Sequence, residues 1–338
     1  MRLDEQTSGI HSRARDAAAW TRYWARGPLH SCPNAFAGNY ADEIRAAWVE
    51  FFAAQPSGAR VLDIGTGNGA VALVARDTSA ERGCAFDIEA IDAAQIIPDA
   101  AAAAHGLATN GITFRGGVAA ESTGYPDAWF DAISSQFALE YMRIGATLDE
   151  LARILKPGGD AMFVVHHANS MALVTTQREL ESFEFLQHEV PLLVNARRFL
   201  QRLAGARNTE ELKRMAADSE TAAQARELNR MVGMVVARSK EKPNAEFVGA
   251  IAVQIVTALQ EMRTAGLNAG LDRLRVLGEE MQAHRDRLRA IAHAAHTRSD
   301  VLRLAQEIRD HGFTVQEPAE LKVRGGDLIG WLVRATRV

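Results

Sequence analysis

The chain has 338 residues, 47% hydrophobic and 24% charged, with 38 Lys and Arg against 42 Asp and Glu for a net charge of −4. That balance excludes disorder as the main state, and the lack of a basic excess disfavours nucleic acid as a partner. Only Cys32 and Cys84 occur, no apolar run reaches 18 residues and the N-terminus lacks the apolar core of a signal peptide, so a soluble, cytoplasmic protein without a disulfide framework or membrane contact is expected.

Residues 1–58 are expected to form a helical, cap-like segment. Within it, Tyr23 to Ser31 and then Phe36 to Tyr40 are aromatic and turn-rich. From Ala59 onward, short apolar runs alternate with helical stretches: ARVLDI, the helix GAVALVARDTS, GCAFDI, the alanine-rich EAIDAAQIIPDAAAAAHG, and ITFR. Cys84 falls in the third of these, read as a buried strand. WFDAISS, the helix TLDELARIL and the strand DAMFVVHH come next, with Lys156-Pro157-Gly158-Gly159 as the turn between the last two. The alternation predicts βαβ units and a parallel sheet. Residues 171–310 then show apolar positions three and four apart and almost no strand-like runs, which predicts a long helical insertion. GFTVQEPAEL and DLIGWLVRATRV, separated by Arg324-Gly325-Gly326, read as two closing strands. The expected fold is α/β: a doubly wound, Rossmann-like, seven-stranded sheet over 59–170 and 311–338, with the insertion between the fifth and sixth strands.

The sharpest local pattern is Val61-Leu62-Asp63-Ile64-Gly65-Thr66-Gly67-Asn68-Gly69-Ala70, an apolar strand running into a glycine-rich turn and a helix. Glycines at 65, 67 and 69 permit tight turns and let a ligand lie against the backbone. The spacing falls one residue short of the dinucleotide pattern, and Asp63 would be unwelcome beside a pyrophosphate. A carboxylate there suits a cationic ligand instead.

These residues resemble the first motif of the class I S-adenosylmethionine-dependent methyltransferases. The resemblance spans roughly 59–167 and 311–338, and four features match in order: VLDIGTGNG, Asp87 with Ile88 at CAFDI, FDAISSQFALEY, and ILKPGG before the fifth strand. It implies S-adenosyl-L-methionine as cofactor, with Gly65, Thr66, Gly67, Asn68 and Gly69 under its methionine part and Asp63 near its amino group. Asp87 would bind the ribose hydroxyls, or else cap the following helix. The family often places an acid after the third strand to receive the adenine amino group. Here Ala119 stands at that place, so Glu121 or the backbone of Val118, Ala119 and Ala120 would have to serve. Segments like 23–40 often close over the cofactor in related enzymes; the other reading is a helix and loop packed on the sheet edge.

Ligands of open α/β sheets lie beyond the carboxyl ends of the strands, which puts Ser134, Ser135, Gln136 and Phe137 near the transferable methyl. Glu140 and Tyr141 point inward or begin the next helix. His166 and His167 end the fifth strand and are candidate general bases, or hydrogen-bonded structural histidines. No cysteine or carboxylate cluster accompanies them, so no metal site is expected. The expected activity is methyl transfer to a small-molecule acceptor, with methylation of a protein or RNA, or cofactor binding without catalysis, as alternatives. The insertion's amphipathic faces predict an acceptor lid and a homodimer contact.

Overall fold

A computed structural model describes residues 17–31, 38–206, 208–241, 246–323 and 325–338. Cys32, Phe36, Ala37 and Arg324 lie outside the described residues. The chain divides into two compact units, one comprising residues 1–174 and 290–338 and the other residues 175–289.

The first unit carries the sheet. Helix α1 covers residues 17–24. After it come α2 (Asp42–Ala53), β1 (Arg60–Ile64), α3 (Ala70–Glu81), β2 (Asp87–Asp92), α4 (Pro98–Ala104), β3 (Ile112–Gly116), β4 (Phe130–Gln136), α5 (Ile144–Ile154) and β5 (Leu155–His166). Beyond the second unit lie α6 (Arg298–Asp310), β6 (Phe313–Val315), β7 (Ala319–Lys322) and β8 (Leu328–Arg337). The strand order is β3-β2-β1-β4-β5-β8-β6, with β7 also on β8. β1 to β5 run parallel, and β8 is antiparallel to β5, β6 and β7. This is the expected doubly wound sheet, with one difference at its edge. The run read as a single sixth strand is two short strands on the same side of β8, interrupted at Gln316 to Pro318. Proline cannot donate to a ladder, so the break falls where the sequence tolerates it.

Alternation along the strands sends side chains to two cores. One face packs Val61, Ala132, Met162 and Val164 against Trp48 and Phe52 of α2 and Leu73 of α3. The other packs Leu62, Ile133, Phe163 and Val165 against α5 and α6. Leu148, Leu151 and Ile154 bury one stripe of α5, and Val301, Leu304 and Ile308 bury one stripe of α6. Thr297 caps α6 by a reciprocal capping box with Asp300, which ties down the helix start. Amphipathic spacing alone puts this helix in the insertion. Its buried stripe faces the sheet, so it belongs to the sheet-bearing unit, and the separate unit is 175–289 rather than 171–310.

Two further boundaries differ. β2 begins at Asp87, where it pairs with Arg60, and runs to Asp92; the strand expected at GCAFDI starts too early. Cys84 sits half-buried in the turn after α3 rather than in a strand. The alanine-rich helix is correspondingly short and starts at Pro98, a residue pre-set for the first helical turn. Lys156 to Gly159 bulge out of β5, since Phe130 pairs with Leu155 and Ala132 next pairs with Asp160.

The second unit is helical, with helices over Leu192–Leu203, Thr209–Ala217, Ser219–Glu241 and Glu246–Ala265 and with the greater parts of Met171–Glu184 and Leu267–Ala294. Its own core includes Leu192, Ala196, Leu200, Leu228, Val235, Ile251, Ile255 and Leu274, so it buries its apolar stripes independently.

Candidate active site

At the carboxyl edge of the parallel strands, where the order reverses between β1 and β4, lies a cavity of about 410 Å³. Asp63, Gly65 and Thr66 of the first turn, Asp92 to Ala94 after β2, Ala119 and Glu121 after β3, and Gln136 to Ala138 after β4 all line it. This is the crevice where open α/β sheets bind ligands. Trp20 and Trp24 of α1, His30, Tyr40, Tyr141 and Met142 also line it, giving it a largely aromatic wall.

The acids are held rigidly. Asp63 accepts hydrogen bonds from Thr66 Oγ1 at 2.6 Å and Ser134 Oγ at 2.7 Å. Burial, with the charge of Asp92 adding to it, pushes its pKa up to about 7 against the two hydroxyls' opposing pull. Asp92 ends β2 and accepts from Gly67 N and Ala94 N, each at 2.8 Å, and burial raises its pKa to about 6. Both acids thus gain stability as ions from any cation that enters the cavity.

Asp92 is the strand-end acid, five residues beyond the Asp87 expected in that role. Asp87 and Ile88 are at the opposite, amino-terminal end of β2: Asp87 is exposed beside Arg60 at 3.6 Å, and Ile88 is core. The two acids differ in the residues on their C-terminal side. After Asp87, IEAI continues the strand's alternation, whereas after Asp92, AAQ leads into the turn before the helix at Pro98.

The glycine turn works differently from the expected open ledge. A Cβ on Gly65 would lie 2.2 Å from the Ala138 Cβ, and one on Gly67 would lie 2.5 Å from the Trp24 ring. Both residues have positive φ, at 63° and 55°. The space above the turn is therefore filled by protein, and the glycines let the β4 exit and α1 close onto β1. Asn68 points away from the cavity and clips the N-terminal segment in place. Its Nδ2 donates to Trp24 O and Pro28 O, and its Oδ1 accepts from Ile97 N. Gly69 starts α3 with Phe114 against it. The aromatic segment that could have been either a cap or an edge packing is part of the cavity wall, although its residues 32–37 lie outside the described residues. His30 donates from Nε2 to Gly38 O at 2.8 Å and stacks on Tyr40 at 4.6 Å.

Glu121 lines the cavity with its carboxylate drawn to Arg143, 3.1 Å from the backbone N and 3.4 Å from Nε. Ala120 is core. Gln136 lines the cavity and accepts from Trp48 Nε1 at 2.5 Å, leaving its buried Nε2 without a partner among the described residues. Phe137 has φ of 53°, a conformation that costs a bulky residue about 1–3 kcal/mol and persists only where surroundings hold it.

Neither of the two candidate bases at the β5 end, His166 and His167, lines the cavity, and Ser135 is buried outside its lining. His166 stacks face to face on Phe137, with centroids 4.4 Å apart and planes within 9°. Burial lowers its pKa to about 3. Its backbone N donates to Glu140 Oε1 at 2.8 Å, and burial pushes Glu140 up to about 8. His167 stacks on Trp331, its Nδ1 accepts from Asn169 N, and it lies 3.8 Å from Glu320, so its contacts are those of a structural side chain.

Such a crevice, acid-floored and aromatic-walled at the switch point of a doubly wound sheet, defines a binding domain for a small organic ligand with cationic character. Residues 36–213 match the model of a methyltransferase domain family, and the chain belongs to the class I S-adenosylmethionine-dependent methyltransferases, the family whose methyl donor is S-adenosylmethionine. Solved structures to which it is similar include the [4+2]-cyclase SpnF (30% identity over 36% of this chain and 44% of that one, TM-score 0.30). Others are S-adenosylmethionine-dependent methyltransferases from Mesorhizobium loti (23% identity, 37% and 54%, TM-score 0.29) and Aquifex aeolicus (12% identity, 87% and 89%, TM-score 0.42). Against the first two, the match spans about half of the relative's own length. No curated protein matches the chain.

Proposed function

We propose that the protein transfers a methyl group from S-adenosylmethionine to a small, largely apolar aromatic acceptor. The observation that carries this reading is the cavity itself: two buried acids on its floor and six aromatic or thioether side chains, Trp20, Trp24, Tyr40, Phe137, Tyr141 and Met142, on its walls. Asp63 suits the ligand's cationic amino acid end, and Asp92 suits its ribose hydroxyls. When bound, the sulfonium supplies an electrophilic methyl. The chain's own residues then have to align the acceptor and exclude water, and the tryptophans of α1 and Tyr141 provide an apolar cover for that. The cavity's volume, about 410 Å³, lies within the usual range for small-molecule pockets, about 300–1,000 Å³.

Isothermal titration with S-adenosylmethionine and with S-adenosylhomocysteine, then a screen of aromatic metabolites with methyl-labelled cofactor, tests the reading. Binding of both and label transfer into a small organic fraction is the expected result. Label appearing only in protein or RNA would overturn the acceptor class, and no heat with either ligand would overturn the cofactor assignment.

A further inference from the structure

Among the described residues that line the cavity, Arg143 is the one arginine or lysine; the carboxylates there are Asp63, Asp92 and Glu121. A guanidinium is out of place beside a ligand that is itself cationic, because like charges repel. Its presence points to a second ligand of the opposite sign. Arg143 stands just before α5, where the loop after β3 meets the exit of β4. Its backbone N and its Nε both donate to Glu121 Oε1, at 3.1 and 3.4 Å. The side-chain contact is long for a charge-assisted hydrogen bond and engages Nε alone. The two terminal nitrogens have no hydrogen bond or ion pair among the described residues, and the Arg143 side chain is 55% exposed against 12% for Glu121. Glu121 therefore steadies the stem and leaves free an end-on pair of donors that matches one carboxylate.

The surroundings of this fork are aromatic. Tyr141, two residues before it, lines the same cavity and lies edge-on to Trp20, with ring centroids 5.7 Å apart. A cation thus sits on the rim beside the aromatic cover, while Asp63 and Asp92 form the floor. We infer that the acceptor is an aromatic anion, its ring against the aromatic wall and its carboxylate on the terminal nitrogens of Arg143. The inference rests on the methyltransferase reading above and adds the acceptor's charge, which that reading leaves open. The floor acids repel the same anion, so one orientation is favoured, charged end at Arg143 and apolar end inward. The carboxylate is then a handle that orients the acceptor, and Arg143 determines specificity.

The test uses the full chain saturated with S-adenosylhomocysteine and two pairs of probes, benzoate with benzamide and 2-naphthoate with 2-naphthamide. Each pair is alike in shape and differs in charge. At least one carboxylate should bind saturably in isothermal titration, more tightly than its amide, and added salt should weaken the carboxylate alone. Arg143→Met, which keeps the apolar stem, should weaken that carboxylate by about tenfold or more. The same variant should leave the amide and S-adenosylhomocysteine within about twofold, the latter also reporting an intact fold. Arg143→Lys, which keeps the charge without the fork, should fall between the two and serves if the methionine variant does not fold. Glu121→Gln removes the competing carboxylate and should tighten the probe. Equal weakening of carboxylate and amide by Arg143→Met, no effect on either, or binding of neither carboxylate to the saturated wild type would overturn the inference. A loss confined to S-adenosylhomocysteine would overturn it as well, by assigning Arg143 to the cofactor's own carboxylate. Failure of S-adenosylhomocysteine to bind the wild type would instead overturn the methyltransferase reading.

Discussion

The two sides of the cavity treat buried polarity in opposite ways. On the β1 and β2 side every buried acid is satisfied from within the chain: Asp63 by two hydroxyls, Asp92 by two backbone amides, with Asn68 bonded at both ends of its amide. On the β4 and β5 side Gln136, Glu140 and His166 each keep a buried polar atom bare among the described residues. A satisfied site is already organised before its ligand arrives, whereas a bare one costs stability until something completes it. The same fold thus holds a preformed half and an unfinished half, and substitutions should affect them with opposite signs.

The largest effect is expected from Gly67→Val. Its branched side chain would meet the Trp24 ring at a backbone angle that disfavours it, so α1 should lift off the turn. S-adenosylhomocysteine affinity should drop by about a hundredfold or more, the equivalent of roughly 2.7 kcal/mol, with circular dichroism reporting a retained sheet. Unchanged affinity would mean that the closure of Trp24 on the turn has no part in binding. Asp92→Ala comes next. It strands the Gly67 and Ala94 amides and should cost about 1–3 kcal/mol of stability by denaturant titration, together with about tenfold or more in cofactor affinity. Asp87→Ala, at the exposed end of the same strand, should change stability by no more than about 0.5 kcal/mol and leave affinity alone. Equal effects from the two would erase the distinction between them.

Charge on the preformed side should also respond to pH. With Asp63 pushed up to about 7 and Asp92 to about 6, both hold protons at pH 5.5, and a cationic ligand favours their ionised forms. Binding at that pH must therefore release protons. S-adenosylmethionine affinity should rise between pH 5.5 and 8, by at most about tenfold per pH unit for each group that ionises. Titration in buffers of different ionisation enthalpy counts the protons directly. Asp63→Asn should remove the upper part of the rise; a pH dependence identical to wild type would assign the protons elsewhere.

The preformed half is the more legible in the sequence. VLDIGTGNG can be recognised because a strand, a glycine turn and a helix are local in the chain, and the βαβ rhythm carries most of the sheet with it. Register is harder. Both Asp87 and Asp92 end a short apolar run, and only the pairing of Asp87 with Arg60 across β1 shows which one starts the strand. The role of the glycines is hidden for a related reason: Ala138, Trp24 and Phe114, which fill the space beside them, come from distant parts of the chain. α6 reads as part of the insertion because amphipathic spacing shows that a stripe is buried without showing against what. The histidine pair stands out in the sequence, but alternation along a strand cannot tell that a strained phenylalanine just past the end of the neighbouring strand lies over one ring.

The smallest effect sharpens the unfinished half. Since the buried His166 ring nitrogens have no partner among the described residues, replacing the ring by an apolar one of similar shape should not destabilise the protein near neutral pH. His166→Phe keeps the face available to stack on Phe137 and leaves the backbone N–H on Glu140, so the change expected at pH 7.5 lies within about 1 kcal/mol, toward stabilisation. Acid should magnify the difference. Burial holds the His166 pKa near 3 in the folded chain against an ordinary 6.5, so below pH 6.5 the unfolded chain takes up a proton that the folded chain refuses. Wild type therefore loses stability from this residue as pH falls from 6.5 toward 3, at no more than about 1.4 kcal/mol per pH unit, and the variant does not. His30 and His167, also lowered by burial, are common to both proteins and cancel in the difference, whereas His296, whose charge adds to the lowering of His166, contributes to the difference itself. Urea titrations of the pair at pH 7.5, 6.0 and 5.0 should show the variant's advantage widening at each step. A constant gap would mean that the imidazole is hydrated or partnered in solution, and the contrast between the two halves of the cavity would then fail at its clearest residue.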